Sequence, residues 1–317
     1  MRRHHALATL ACSAALLLTA ACGGESLEQS GTDSDGDAGA GGRITLAGQD
    51  FPEMQIMSEM YKAVLENAGY TVDLRLVQTR DIYLPELESG AVDVVPEYAG
   101  SITDALTLEA NGPNAELVSS HDVDDTMAEF EKLAEPAGLT ALEPSEATDQ
   151  NAYAVTEEFA QQHDLTTLTD LGDLGQPIKL AAAPDCEDRE DCAVGLKDVY
   201  GIDITQVLPL GFGTTQTKDA LGNGEVQLGQ AGTSDGSLEQ LGLVLLEDDQ
   251  GLQAAQNLVP VVNSEFLDQN PDIAEPLNEM SSTLTTEDLA NLNEQVDLER
   301  QKPADVAQQY LQDEGLI

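Results

Sequence analysis

The chain has 317 residues, with 13 Lys and Arg against 59 Asp and Glu, for a formal net charge of −46. Nucleic-acid binding is thereby excluded, because counterion release needs clustered Lys and Arg, and an anionic bilayer is equally disfavoured as a surface to lie on. Apolar residues, at 41%, still suffice for large cores, and the length fits a leader followed by two compact units. The acidic excess has two readings: solubility of an exported protein, or life in salt that screens carboxylate repulsion.

The leader comes first. Met1 to His5 is basic and Ala6 to Leu18 is apolar, a run too short for a permanent membrane span, so it reads as an export signal. The small residues Thr19-Ala20-Ala21 ahead of Cys22 resemble the bacterial lipoprotein cleavage box. One departure is Thr19, where that pattern favours Leu. The resemblance implies a signal peptide over 1–21, lipidation of Cys22, and a protein held on the outer face of the cytoplasmic membrane. An ordinary secretory signal with an incidental cysteine is the other reading. Residues 22–42, rich in Gly, Ser, Asp and Glu, read as a flexible tether with a reach of about 25 Å.

The folded part then begins. Ile44–Ala47 reads as a buried strand, and Asp50 and Glu53 are spaced as a capping box around Pro52. Met57, Met60, Tyr61, Val64, Leu65 and Ala68 recur at helical spacing up to Gly69. A strand over Thr71–Val77, a helix over Arg80–Ser89 and a strand over Ala91–Pro96 follow. This alternation marks a parallel sheet with right-handed crossovers. A helix over Asp122–Pro136 and a strand over Leu139–Leu142 close the first unit. The second reads as strand Asn151–Thr156, helix Glu157–His163, strand Ile178–Ala182, helix Ala193–Tyr200, helix Thr215–Leu221, and strands Val226–Gly229, Leu243–Leu246 and Val259–Val262. Four helices make the tail: Ser264–Asn270, Asp272–Met280, Thr286–Val296 and Pro303–Glu314. The expected architecture is α/β with two parallel-sheet lobes around a cleft: 43–148 in lobe 1, 149–263 in lobe 2, and 264–317 returning to lobe 1. In such sheets ligands sit beyond the strand carboxyl ends, which places Gln49–Glu53, Glu97–Ser101 and Asn151–Tyr153 along the cleft.

Cys186 and Cys192 fall in one loop-like stretch. In an exported protein a local disulfide is the default, and no His or further Cys stands near enough in sequence to suggest a metal.

Several runs are more specific. Asp50-Phe-Pro-Glu, Leu87-Glu-Ser-Gly-Ala-Val-Asp-Val-Val-Pro-Glu-Tyr-Ala-Gly, Asn151-Ala-Tyr-Ala-Val, Gly195-Leu-Lys-Asp-Val-Tyr-Gly, Leu221-Gly-Asn-Gly-Glu-Val, Gly232-Thr-Ser-Asp-Gly, Val244-Leu-Leu-Glu-Asp-Asp and Asn293-Glu-Gln-Val-Asp occur in that order. Together they resemble the substrate-binding proteins of osmoprotectant ABC importers, the glycine betaine, choline and carnitine family, over essentially everything from residue 43. The resemblance implies the type II periplasmic-binding fold, no chemistry on the ligand, no cofactor, a monomer, and a permease and its ATPase as membrane partners. Its ligands carry a quaternary ammonium, held by aromatic faces through cation–π attraction.

By that resemblance Tyr98 and Tyr153 stand at aromatic positions of the binding site, Phe51 at the start of the first helix, and Thr233 and Asp235 in the Thr-Ser-Asp-Gly run. Arg189 stands where the family has an Arg able to hold a carboxylate. Arg80 opens a helix against the helix dipole at the expected cleft edge. Each has a second reading: hinge packing for Tyr98, strand packing for Tyr153, core for Phe51, a turn for Asp235, and a solvated ion pair for Arg189 among its acidic neighbours. The sequence departs from the family at Gly232 and at Gln253-Ala-Ala-Gln-Asn257, including Gln256, where aromatic cage walls are expected; Tyr83 and Phe212 are candidate substitutes. There is no Gly-x-Ser-x-Gly, His-Glu-x-x-His or P-loop, so an enzyme is not expected. A binding protein for another small polar solute, or a surface-anchored sensor of the same fold, are the alternatives.

Overall fold

The computed structural model describes residues 41–317. The expected signal peptide over 1–21, Cys22 and the expected tether up to residue 40 lie outside the described residues.

The first sheet has the order β2-β1-β3-β10-β4: β1 (Arg43–Gln49), β2 (Thr71–Val77), β3 (Val94–Tyr98), β4 (Leu139–Ala141) and β10 (Leu258–Asn263). β1 runs parallel to β2 from Arg43 opposite Thr71 to Gln49 opposite Val77, and parallel to β3. β10 runs antiparallel to both β3 and β4. Helices cover both faces. On one side α1 (Pro52–Asn67) packs with α10 (Ala274–Thr283), α11 (Thr286–Asp297) and α12 (Pro303–Asp313), burying Met57, Met60, Leu277, Leu289 and Leu311. On the other, α2 (Arg80–Glu88), α3 (Ala99–Asn111) and α4 (Val123–Ala137) bury Leu87, Ile102 and Phe130. Sandwiching explains why every residue of β3 is buried: a two-sided strand reads as continuous burial rather than alternation.

The second sheet has the order β7-β6-β8-β5-β9, with β5 (Asn151–Thr156), β6 (Ile178–Ala182), β7 (Ile204–Pro209), β8 (Leu228–Gly232) and β9 (Leu243–Leu246). β6 is parallel to β7 and β8, whereas β5 is antiparallel to β8 and β9. One face packs on α5 (Glu157–His163), α6 (Leu168–Asp173) and α7 (Ala193–Asp198), and the other on α8 (Thr215–Gly222). The short helix α9 (Ser264–Gln269) follows β10 directly.

Three expectations are corrected. The sheets are mixed rather than parallel, because one strand in each returns antiparallel from the other lobe's side. β10, placed with residues 149–263 from the sequence, pairs with β3 and β4 and so belongs to the first sheet. The Asp50/Glu53 capping box does not form. Phe51 is the N-cap without a side-chain cap bond, and Asp50 instead accepts from the Gln55 amide at 2.7 Å and the Gln78 amide at 3.3 Å.

Helices α3 and α6 and strand β7 were not anticipated. The buried face of α3 includes Thr103 and Thr107, whose hydroxyls donate to the carbonyls of Ala99 at 2.7 Å and Thr103 at 2.9 Å. Threonine thus occupies positions where the apolar period is read, masking the helix. β7 is an edge strand with mainly exposed or half-buried residues, so alternation is lost.

Two segments, 142–150 and 247–257, join the lobes. They run side by side: Thr148 bridges Asn257 antiparallel, the Asp149 N–H donates to the Gln256 carbonyl at 3.2 Å, and the Leu258 N–H to the Ala147 carbonyl at 2.9 Å. Ahead of α7, Cys186 and Cys192 form a buried disulfide with a Cα–Cα distance of 5.3 Å.

Candidate ligand-binding site

A cavity of about 530 Å³ opens between the lobes on one side of these hinge segments. The first lobe contributes the start of α1, with Phe51 and Glu53, and Asn293 from α11. The second contributes Phe212, Lys218 and the segment from Gly232 to Leu241, and Asp149 comes from the hinge.

Glu53 organises this wall. Only 5% exposed, it accepts the Tyr98 hydroxyl on Oε1 and the Asn293 side-chain amide on Oε2 at 2.6 Å. Burial pushes its pKa up from 4.5 to about 7, and the neighbouring Asp149 pushes the same way. Hydrogen bonds from Tyr98, Asn293 and Ser234 pull in the opposite direction without prevailing. The Asp149 carboxyl is also raised, by burial first and then by Asp235, although the Ser234 hydroxyl donates to it at 2.8 Å. Two acidic groups are therefore held close together and short of counter-charge, an arrangement that a bound cation would relieve.

The aromatic faces come from both lobes. Phe51 lies at the α1 start. Phe212 sits between two left-handed glycines, Gly211 at φ +103° and Gly213 at φ +57°, which let the chain turn its ring outward so that it stays 45% exposed. A Cβ at Gly232 would stand 3.5 Å from Phe212 Cζ and 3.0 Å from Asp149 Oδ1. The missing aromatic at Gly232 thus leaves room that Phe212 and Asp149 enter. Across the cavity, Lys218 donates to Asp235 at 2.6 Å and to the Ser237 hydroxyl at 2.6 Å. Six carboxylates (Glu53, Asp149, Asp219, Asp235, Glu294 and Asp297) face one lysine in this lining, and that lysine is paired.

Of the residues anticipated from sequence, Phe51, Asp235 and the candidate substitute Phe212 line this cavity. Tyr98 is buried behind Glu53 and reaches the cavity only through that carboxyl. Thr233 is spent on the hinge: its hydroxyl donates to the Thr148 carbonyl at 2.8 Å and accepts the Gln150 N–H at 2.9 Å. Tyr153, 1% exposed, borders a separate polar hollow of about 730 Å³, and its hydroxyl donates to the Asp191 carbonyl at 3.0 Å. Arg189 grips Asp191, Nε to Oδ1 at 2.8 Å, outside the cavity. Arg80 and Tyr83 both serve the buried Glu97. Gln256 accepts from the N–H and hydroxyl of Ser101, each at 3.1 Å, at the start of α3.

Glu53, Asp149, Lys218, Ser234 and Asn293 carry much of the wall and were not assigned from sequence. Glu53, Ser234 and Asn293 each stood in one of the quoted runs, so a signal existed for all three, without a role attached.

The profile of the substrate binding domain of ABC-type glycine betaine transport systems matches residues 42–313. The chain belongs to this family. A glycine-betaine-binding protein of Pseudomonas aeruginosa is 26% identical over 285 residues, covering 86% of this chain and 88% of that protein. The glycine betaine-binding protein YehZ of Escherichia coli is 28% identical over 273 residues, covering 83% and 88%. The apo structure of YehZ from Escherichia coli superposes with a TM-score of 0.76 at 26% identity, covering 87% of this chain and 99% of that one. The protein is a substrate-binding component of an ABC transport system, with the two-lobed fold of its relatives. Those relatives are transport binding proteins rather than enzymes.

Proposed function

We propose that this protein captures a small ammonium-bearing osmolyte, of the glycine betaine, choline or carnitine type, in the 530 Å³ cavity and hands it to a membrane permease driven by ATPase subunits. The observation that carries this reading is the convergence of two Phe rings and the buried Glu53–Asp149 pair from both lobes and the hinge onto one space. Cation–π attraction and carboxylate charge favour the same solute, a compact cation shielded from water. Because contacts come from both lobes, such a ligand binds the closed arrangement better and shifts the population toward it.

Export and lipidation of Cys22, with the tether up to residue 42, would keep the binding lobes beside the permease. Two or more acyl chains are needed for stable anchoring. Intact mass of the membrane-bound protein tests this: a diacylated or triacylated N-terminus at Cys22 is expected, and a free thiol there rejects it.

Binding is tested by calorimetric titration of the domain from Arg43 onward with glycine betaine, choline and carnitine. Micromolar affinity for at least one is expected, weakened about tenfold or more in Glu53→Gln, whereas no heat with any of the three rejects the assignment.

A further inference from the structure

One face of α11 meets the second lobe. Ala290, Asn293 and Glu294, spaced three and four residues apart, lie together on that face. Gly236 packs on the Ala290 carbonyl oxygen, the Gln240 side-chain amide donates to the Glu294 carboxylate, and the Ser234 carbonyl accepts from Asn293 Nδ2 at 3.1 Å. Of the three, Asn293 alone also holds Glu53: the other hydrogen of the same nitrogen goes to Oε2 at 2.6 Å. Both partners are acceptors, so the amide has one workable orientation, and its two hydrogens serve two lobes. Ser234 continues the connection, since its hydroxyl donates to Asp149 in the hinge at 2.8 Å. Tyr98, Glu53, Asn293, Ser234 and Asp149 thus form one hydrogen-bonded path from the first sheet, through the second lobe, to the hinge.

A hydrogen bond at 3.1 Å passes out of range with a shift of about 0.5 Å, so a rotation of the lobes about the hinge releases the Ser234 end. What remains is an amide with one free N–H, no longer locked beside Glu53. Resting on the reading of this cavity as the ligand site, we propose that Asn293 is the positioning residue that couples the acidic wall to lobe closure. It sets the Glu53 carboxylate for a cation while the second lobe is in place, and latches the lobes together while Glu53 is so set. A cation drawn to Glu53 and a closed second lobe then favour each other through one side chain.

Asn293→Leu keeps the side chain's size and suits a helix but donates to neither lobe. Small-angle scattering without added solute is expected to give a larger radius of gyration for this variant than for the unaltered protein. Saturating choline should bring the two radii together, with apparent affinity about tenfold weaker in the variant if its closed fraction is about a tenth. Equal radii without solute overturn the coupling and leave Asn293 a local support for Glu53. A larger radius that bound choline does not reduce overturns it too, because general loosening of the lobes would look the same. If choline, glycine betaine and carnitine all fail to bind the unaltered protein, the ammonium reading falls and takes the coupling to a cation with it, while the radii without solute still decide the latch. Exchange of the two Asn293 side-chain amide protons, followed by NMR in the unaltered protein, does not depend on the variant folding. Slow exchange of both is expected, and exchange as fast as that of an exposed asparagine overturns the latch.

Discussion

The guanidinium of Arg80 forks the carboxylate of Glu97, Nε to Oε1 at 2.7 Å and Nη2 to Oε2 at 2.6 Å. Glu97 is fully buried at the end of β3 and also accepts the Tyr83 hydroxyl and the Tyr98 N–H. This pair ties the start of α2 to the strand that carries Tyr98, and so fixes the ground on which Glu53 is held. Arg80→Met would leave a buried carboxylate without its counter-charge, at a cost of about 3–5 kcal/mol. Denaturant unfolding should show that loss. Choline affinity, measured where the variant is fully folded, should change far less.

Glu53 makes stability and binding depend on pH. Its carboxyl is raised from 4.5 to about 7, so between those values the folded protein holds a proton that the unfolded chain has released. Stability from this group is full below about pH 4.5 and falls as pH rises toward 7, by about 3 kcal/mol. Cation binding runs the other way, since the ionised carboxyl is the better partner. Unfolding curves at pH 5 and pH 8 should therefore diverge less in Glu53→Gln than in the unaltered protein. Choline affinity should rise over the same range, and less steeply in Glu53→Gln, where the Asp149 carboxyl is the raised acid left in the wall.

Phe212 is exposed enough to be removed without a folding penalty. Phe212→Ala should weaken an ammonium ligand by about 1–2 kcal/mol, the range of a partly desolvated cation–π contact, with little change in unfolding midpoint. Tyr153→Phe, which alters a side chain bordering the other hollow, should leave that affinity unchanged. The reverse pattern in the same titrations would place the ligand in the 730 Å³ hollow.

Gly236 packs against α11 so closely that a Cβ there would lie 2.1 Å from the Ala290 carbonyl oxygen and 2.8 Å from Glu294 Cβ. The contact joins the loop after β8 to the first lobe. Gly236→Ala must lift that loop away and favour the open arrangement. If the closed fraction drops to about a tenth, apparent affinity falls about tenfold. Small-angle scattering of the unliganded variant should show a larger radius of gyration, and an unchanged radius would show that the loop adjusts locally.

The disulfide between Cys186 and Cys192 closes a short loop. Loop-closure entropy for so few residues amounts to about 2 kcal/mol, so Cys192→Ser should lower the melting temperature by several degrees. Both sulfurs are buried among the apolar residues that include Leu196 and Ile202, so binding in the cavity should survive the change.

Much of the fold was legible without coordinates. The strands Thr71–Val77, Asn151–Thr156, Ile178–Ala182 and Leu243–Leu246 and the helix Glu157–His163 fall at the expected bounds, because each bears its own period or its own caps. α3 escaped because threonines occupy part of its buried face, and β7 because an edge strand buries too little to alternate. β10 was recognised as a strand yet given to the wrong sheet. Strand pairing is a choice among distant partners, and nothing local in Leu258–Asn263 names β3 and β4 as its neighbours.

The same division holds for the binding site. Local pattern and ordered motifs determined the α/β class, the two lobes, the family and its transport role, since periodicity and turn chemistry act over a few residues at a time. Which of the 59 acidic residues matter was decided only by tertiary structure. Glu53, Asp149 and Asn293 come from a helix start, a hinge and a returning helix. Their chemistry arises when packing strips water from them and gathers them into the lining of one cavity. Of two scarce cations in an acidic chain, Arg189 looked from sequence able to hold a ligand carboxylate, and Arg80 stood out as a positive charge opening a helix at the expected cleft edge. In the fold each already holds one of the protein's own carboxylates, because a buried or half-buried anion draws in the nearest guanidinium.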